Sequence, residues 1–295
     1  MVEMTAWGRK FRVAVVVDSA ATLPANVIEE SPLFIVPMSL VVDGNIYLDG
    51  IDLLPKQFYE LLKLANSPPT TTAPTPAAFL HAFRRAGQVA DTVLCITVSA
   101  RFSASHDSAC LAQAELASES NNFHVEVLDS GSASAGEALV VLEALRVAAG
   151  GGSLKDVTNA AIKTAEGVNL VAFLDTLYYL WKGGRVPGIA HLGTSLLDLK
   201  PLFEMRRGEV HNLARPRSRR RAMEKLVGFM RERVGRSPIH VGVFHAAAQT
   251  QAEILQSMVS ESFDCVELFT TEFSPVMGAH TGPGLLGLAF RFDKR

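Results

Sequence analysis

The stretch RVAVVVDSAAT, Arg12–Thr22, decides the fold. A short β-branched apolar run ends at an acidic residue and opens into a small polar loop. Such a run is expected of a strand buried on both faces, as in a parallel sheet covered by helices. DTVLCITV (Asp91–Val98) and FHVEVLD (Phe123–Asp129) repeat the pattern, each followed by a small-residue loop and a helical segment. Helices are expected at Pro55–Ala65, Pro76–Gly87, Ser105–Ser118 and Ser134–Ala149. Before them, LFIVPMSLVVDGNIYLDG carries Asp43-Gly44, a hairpin signal between β-rich segments. Strand–helix alternation of this kind argues for a mainly parallel α/β sheet.

AAGGGSL, Ala148–Leu154, is the clearest punctuation in the chain. Three glycines end one helix and Ser153 can cap the next. The boundary is expected there, with an N-terminal α/β domain over 10–150 and a C-terminal α+β domain over 151–295. The second half offers strands at NLVAFLD, LKPLFEM, EVHNL, IHVGVFH, DCVELFTT and LLGLAFRF, with three or four helices between them. MRRGEV, Met205–Val210, reads as a hairpin turn, so this sheet should be mixed and partly antiparallel.

The 295 residues suffice for two cores. A formal net charge of -2 gives no global field for nucleic acid or anionic membrane. No apolar run approaches the roughly 18 residues of a membrane span, and Val13–Val17 is too short for a secretory signal. Cys95, Cys110 and Cys265 lack C-x-x-C spacing and read as reduced, mostly buried thiols. A cytoplasmic protein is expected. The eight histidines form no metal-binding pattern, so no metal is expected.

Gly282, Gly284 and Gly287 spell G-x-G-x-x-G near the C-terminus. A dinucleotide fingerprint must open a helix and be followed by an acidic residue about 20 positions on. Here only eight residues follow Gly287, they read as strand, and Pro283 removes a backbone donor. A tight turn into a final strand is the better reading. No Walker-A lysine pattern occurs, and no cofactor is expected.

Three strands of the first half end in hydroxyl-rich loops: VDSAAT, TVSARFSAS and LDSGSAS. Ligands of open α/β sheets bind outside these carboxyl ends. Ser103 and Ser105 start a helix, where free N–H groups favour an anion. Thr70, Thr71 and Thr72 form a fourth cluster, and Pro69 and Pro74 suggest an irregular loop there. Arg101 is the one cation among these loops. Neutral hydroxyls and amides can hold a carboxylate without a bidentate ion pair. The competing chemistry is nucleophilic, with Ser103 paired to His280 or His106 in a hydrolase or acyl-transfer enzyme. No G-x-S-x-G elbow accompanies it.

ARPRSRRRAMEK holds five arginines between Arg215 and Arg221. Arg219–Arg221 should begin a helix capped by Ser218, with Glu224 as a partial partner. No aromatic platform accompanies the run, which suits an acidic or phosphate-carrying protein partner better than nucleic acid.

Together these segments resemble the DegV family, bacterial fatty-acid-binding proteins that act as the carrier subunit of a fatty acid kinase. VDSAATLP, IVPMSLVVDG, PTTTAP, VSARFSASHDSA, VLDSGSAS, LWKGGRVPG, LKPLF and HTGPGLLGLAF carry the likeness, nearly end to end. The resemblance implies two domains with a long-chain fatty acid buried between them. A separate ATP-using kinase then phosphorylates its carboxylate, and the carrier itself is not an enzyme. It implies carboxylate contacts from Thr71 with Thr72 beside it, from Ser103 with the Ala104 amide, and from His280. Arg185 and Arg217 are implied to serve the kinase. There is no transmembrane segment, although transient contact with a membrane surface would suit a lipid carrier. Ala104 and His106 depart from the family's glycine and tyrosine. Phe34, Leu61 and Phe79 are the expected apolar lining.

Overall fold

The structure is a computed structural model that describes residues 11–119, 123–185 and 199–292. Val186–Gly188 of the LWKGGRVPG segment and the outer ends of the two expected domains lie outside the described residues. The first half runs β1 (Phe11–Asp18), α1 (Ala25–Glu30), β2 (Leu33–Val36), β3 (Ser39–Val42), β4 (Asn45–Leu48), α2 (Pro55–Leu64), β5 (Thr70–Thr72), α3 (Pro76–Gly87), β6 (Ala90–Thr97), α4 (Ser105–Ser118), β7 (His124–Asp129) and α5 (Ser134–Ala149). The second runs α6 (Leu154–Gly167), β8 (Asn169–Phe173), α7 (Tyr178–Gly183), β9 (Leu202–Arg206), β10 (Glu209–Ala214), α8 (Arg219–Val234), β11 (Ile239–His245), α9 (Gln249–Ser262), β12 (Cys265–Glu272), α10 (Pro275–Thr281) and β13 (Leu286–Phe292).

The RVAVVV run lies in β1, at the centre of a four-stranded sheet of order β2-β1-β6-β7. Every pairing in that sheet is parallel. Val13–Val17 are buried throughout, because helices cover both faces. On one face α3 and α4 pack through Phe79, Phe83, Ala109 and Leu116. On the other lie α5 and α6. A six-stranded mixed sheet, β10-β9-β8-β13-β11-β12, closes the opposite side of α5. Its β11–β12 pairing is parallel and its others antiparallel. Alternation sorts its residues: Leu170, Ala172, Phe244 and Ala289 face α5, while Val171, Phe173, Val243 and Leu288 face α8 and α9.

The result is five layers with α5 and α6 in the middle. That position explains why α5 is buried almost all round from Ser134 to Val141, as a helix with no solvent face must be. Gly150–Gly152, where we propose the division between the halves, turns α5 into α6. Ser153 caps α6 by accepting the Asp156 N–H. Among the described residues no helix is long and apolar enough to cross a membrane.

A third sheet, β4-β3-β5, sits beside α10. Its β3–β4 hairpin turns on Asp43 and Gly44, both at positive φ as a two-residue primed turn requires. Its third strand corrects an expectation. Thr70–Thr72 do not form an irregular loop but pair with β3, Thr71 opposite Leu40. The flanking prolines lie outside the three-residue strand, so no paired N–H is lost. A second correction concerns the cysteines: Cys95 is buried, whereas Cys110 and Cys265 are only half-buried.

Candidate functional site

Parallel strands place their carboxyl ends side by side, and two buried carboxyls organise the loops that leave β1 and β6. Asp18 Oδ1 accepts the Ala20 N–H at 3.1 Å and Oδ2 the Val98 N–H at 3.0 Å. Asp49 accepts the hydroxyls of Ser19 at 2.6 Å and Ser274 at 2.9 Å. Its other oxygen accepts the Val276 N–H at 3.2 Å, tying α10 to the first sheet. Burial pushes both carboxyls up to about 6, against the hydrogen bonds that favour their charge. At the start of α4, Ser103 Oγ accepts the Ser105 N–H at 3.2 Å and lies 3.1 Å from Ser105 Oγ.

The short helix α10 brings His280 to the same place, with Nε2 2.7 Å from Thr71 Oγ1. Burial, helped by the Arg185 charge, lowers its imidazole to about 4. His280 is therefore neutral at pH 7. The glycine run after it serves sterics. Gly282 ends α10 at φ 69°, and a Cβ there would lie 2.2 Å from the Tyr179 ring. Gly284 has φ 89°, and a Cβ would come 2.3 Å from Asp175 Oδ2. Arg219 clamps this turn by donating to the Gly284 carbonyl at 2.9 Å while pairing with Asp175. Lys200 pairs with the same carboxylate at 3.0 Å. Gly287 lies in β13, so no helix follows the three glycines and the nucleotide pattern is a turn.

Thr71, Thr72, Ser103, Ala104, Arg185 and His280 line one cavity of about 330 Å³. Its wall continues through Ala133, Leu180, Met205, Met277 and Thr281 into a second space of about 100 Å³. That space is almost wholly apolar, with Leu170, Ala172, Phe203, Phe244 and Phe273 among its lining. Polar groups thus gather at one end of a path that is greasy at the other, between the α5 layer and the second sheet.

Several expectations do not belong to this path. Phe79 is fully buried in the core under α3, with Phe34 packed against it, and Leu61 packs on the central core. The actual lining comes from β8, β9, β11 and α10 instead. Arg217 is exposed and lies outside the cavity wall. Ser103 bonds Ser105, His280 bonds Thr71, and His106 contacts Cys110 Sγ at 3.8 Å. Neither serine–histidine pair is formed. Sequence reasoning missed Asp18 and Asp49 as organisers and Arg219 as the clamp.

A family model described as "Uncharacterised protein, DegV family" matches residues 12–293. The chain belongs to the DegV family. A DegV domain-containing protein of Streptomyces coelicolor is 32% identical over 278 residues, covering 94% of this chain and 97% of that protein. A DegV family protein from Thermus thermophilus, described for its fatty acid binding, matches with a TM-score of 0.87 at 28% identity. The match covers 96% of this chain and 100% of that one. DegV of Bacillus subtilis, described as a fatty acid binding protein, matches with a TM-score of 0.84 at 26% identity over 96% of this chain and 100% of that one. The DegV fold therefore accounts for the sheets.

Proposed function

We propose that this chain binds a long-chain fatty acid and presents its carboxylate to a separate ATP-dependent kinase, which forms the acyl-phosphate. The observation that carries the reading is the gathering of Thr71, Ser103 and His280, distant in sequence, at the polar end of one apolar path. Relatives of this fold bind fatty acids, which supports it. Each buried methylene is worth about 0.8 kcal/mol, so a 16-carbon tail supplies roughly 12 kcal/mol before ordering costs. The head group then needs only light restraint.

The hydroxyls supply that restraint. When neutral His280 donates from Nε2 to Thr71 Oγ1, the threonine proton is free for a carboxylate oxygen. Ser103 and the Ala104 amide face the ligand from α4. Among the described lining residues Arg185 stands at the rim and the groups at Thr71, Ser103 and His280 are uncharged, so the carboxylate would keep the electron density with which it would attack a phosphoryl group. Arg185 at the rim and Arg217 on the surface before α8 are placed in contact with the kinase. The carrier supplies position and leaves the nucleotide to its partner, in the cytoplasm.

Native mass spectrometry of freshly purified protein should show a bound long-chain fatty acid. Thr71→Val with Ser103→Ala removes two charge-assisted hydrogen bonds, and about 10- to 100-fold weaker binding is expected. Kinase-dependent acyl-phosphate formation should fall with it, while Arg217→Ala should lower only the phosphorylation. An empty protein that neither retains nor takes up fatty acid sinks the reading.

A further inference from the structure

Four strands of the mixed sheet set one residue each in a row beneath α5. Phe244 of β11 pairs with Gly287 of β13, Gly287 with Ala172 of β8, and Ala172 with Phe203 of β9. Directly opposed residues share a face of the sheet, so the row reads Phe-Gly-Ala-Phe toward the helix layer. Gly287, the third glycine of GPGLLG, is required here for space: a Cβ on it would lie 2.3 Å from Phe244 Cζ. The Phe244 ring therefore leans across β13 toward Ala172. It also stacks on Phe273, with 5.4 Å between centroids and 4° between planes.

Along the chain, alternation puts Leu170, Ala172 and Leu174 on that same face. Ala172 is thus the one small side chain among large ones, with leucines before and after it and phenyl rings to either side. All five residues line the apolar space at the end of the path. Together they make a pit whose floor is the Ala172 methyl. The sheet closes the pit from behind, because Val171 and Phe173 on its other face pack into the core under α8. An acyl chain held at Thr71 and Ser103 reaches this pit last.

We propose that this pit is the stop for the methyl end of the ligand, and that Ala172 is the specificity-determining residue for acyl length. This rests on the fatty-acid reading above and adds to it which chains are taken: straight ones whose last carbons fill the pit. A methylene that enters the pit leaves water and counts toward affinity, by about fourfold in Kd. A chain too long for the pit has to fold back or hold its carboxylate away from Thr71. A chain too short leaves the pit empty and forgoes that gain.

The test fills the pit in steps, with Ala172→Val and Ala172→Leu, and measures Kd for dodecanoate and hexadecanoate by calorimetric titration of lipid-stripped protein. Wild type should bind hexadecanoate on the order of 100-fold more tightly than dodecanoate. Ala172→Leu should weaken hexadecanoate by about 10- to 100-fold and leave dodecanoate within about twofold, with Ala172→Val in between. Both ligand-free variants should melt no lower than wild type, since the added carbons enter open space. A wild type that binds both acids but shows no preference for hexadecanoate overturns the stop. So does a loss in Ala172→Leu that is equal for the two acids, or absent for hexadecanoate. Failure of both variants to fold would make the pit ordinary core and overturns it too. A wild type that binds neither acid strikes at the fatty-acid reading instead.

Discussion

Thr71 and His280 are 209 positions apart in the chain and 2.7 Å apart in the fold. What sets the imidazole in place is a residue with no side chain. A Cβ on Gly183, at the end of α7, would lie 2.6 Å from His280 Nδ1. Gly183→Ala should therefore push the ring away from Thr71. Gly183 keeps an ordinary helical backbone, so the cost should fall on the site: fatty-acid affinity down by about tenfold, with Tm moving by only a few degrees. An unchanged dissociation constant in direct titration would show that the ring's position does not matter. The basic run teaches a related lesson. Arg217 and Arg219 are two letters apart in one arginine-rich stretch, yet one is exposed and the other clamps Gly284. The direction in which a helix starts decides between them, and composition carries no trace of that direction.

At the scale of elements, α10 is joined to the first sheet largely through Asp49. Its carboxyl is held at about 6 against an ordinary 3.8, because burial penalises the charge. Between these values the folded chain binds a proton that the unfolded chain has released. The stability from this group is thus fully present below about pH 4 and lost as the pH rises through about 6. Asp49→Asn does not titrate. Relative to that variant, wild type should lose about 3 kcal/mol between pH 4 and pH 7 in urea unfolding, and a pH-independent difference would refute the assignment. Sequence reading found the longer elements because their patterns have room to repeat: Pro76–Gly87 and Ser134–Ala149 match α3 and α5 end for end. It passed over α1, α7 and α10, of 6, 6 and 7 residues. Fewer than two turns cannot display a 3.6-residue period, and one of those helices carries His280.

Across the whole molecule, the parallel and mixed sheets were legible from β-branched runs and turn residues, whereas the way they stack was not. Nothing in a one-dimensional pattern says that two sheets share one pair of helices. A helix stretch buried all round was the available signal: SAGEALVV, which opens α5, is buried at every position, and burial pushes the carboxyl of its Glu137 well above the ordinary range. The cavity was legible at its polar end, through hydroxyl loops and family likeness. Its apolar end was not, since Phe244 and Phe79 are both buried phenylalanines and only one lines it. The shared layer has a kinematic consequence. Because α5 is gripped by β1 on one side and by β11 and β13 on the other, the halves have no free axis about which to swing. Rotating one sheet would shear two close-packed surfaces at once. On the fatty-acid reading, an acyl chain should enter by displacement of small peripheral pieces such as α10 or the β3–β5 pair, with the two sheets left in place. The radius of gyration in solution scattering should stay the same with and without fatty acid, and an expansion of the kind a clamshell produces would contradict this.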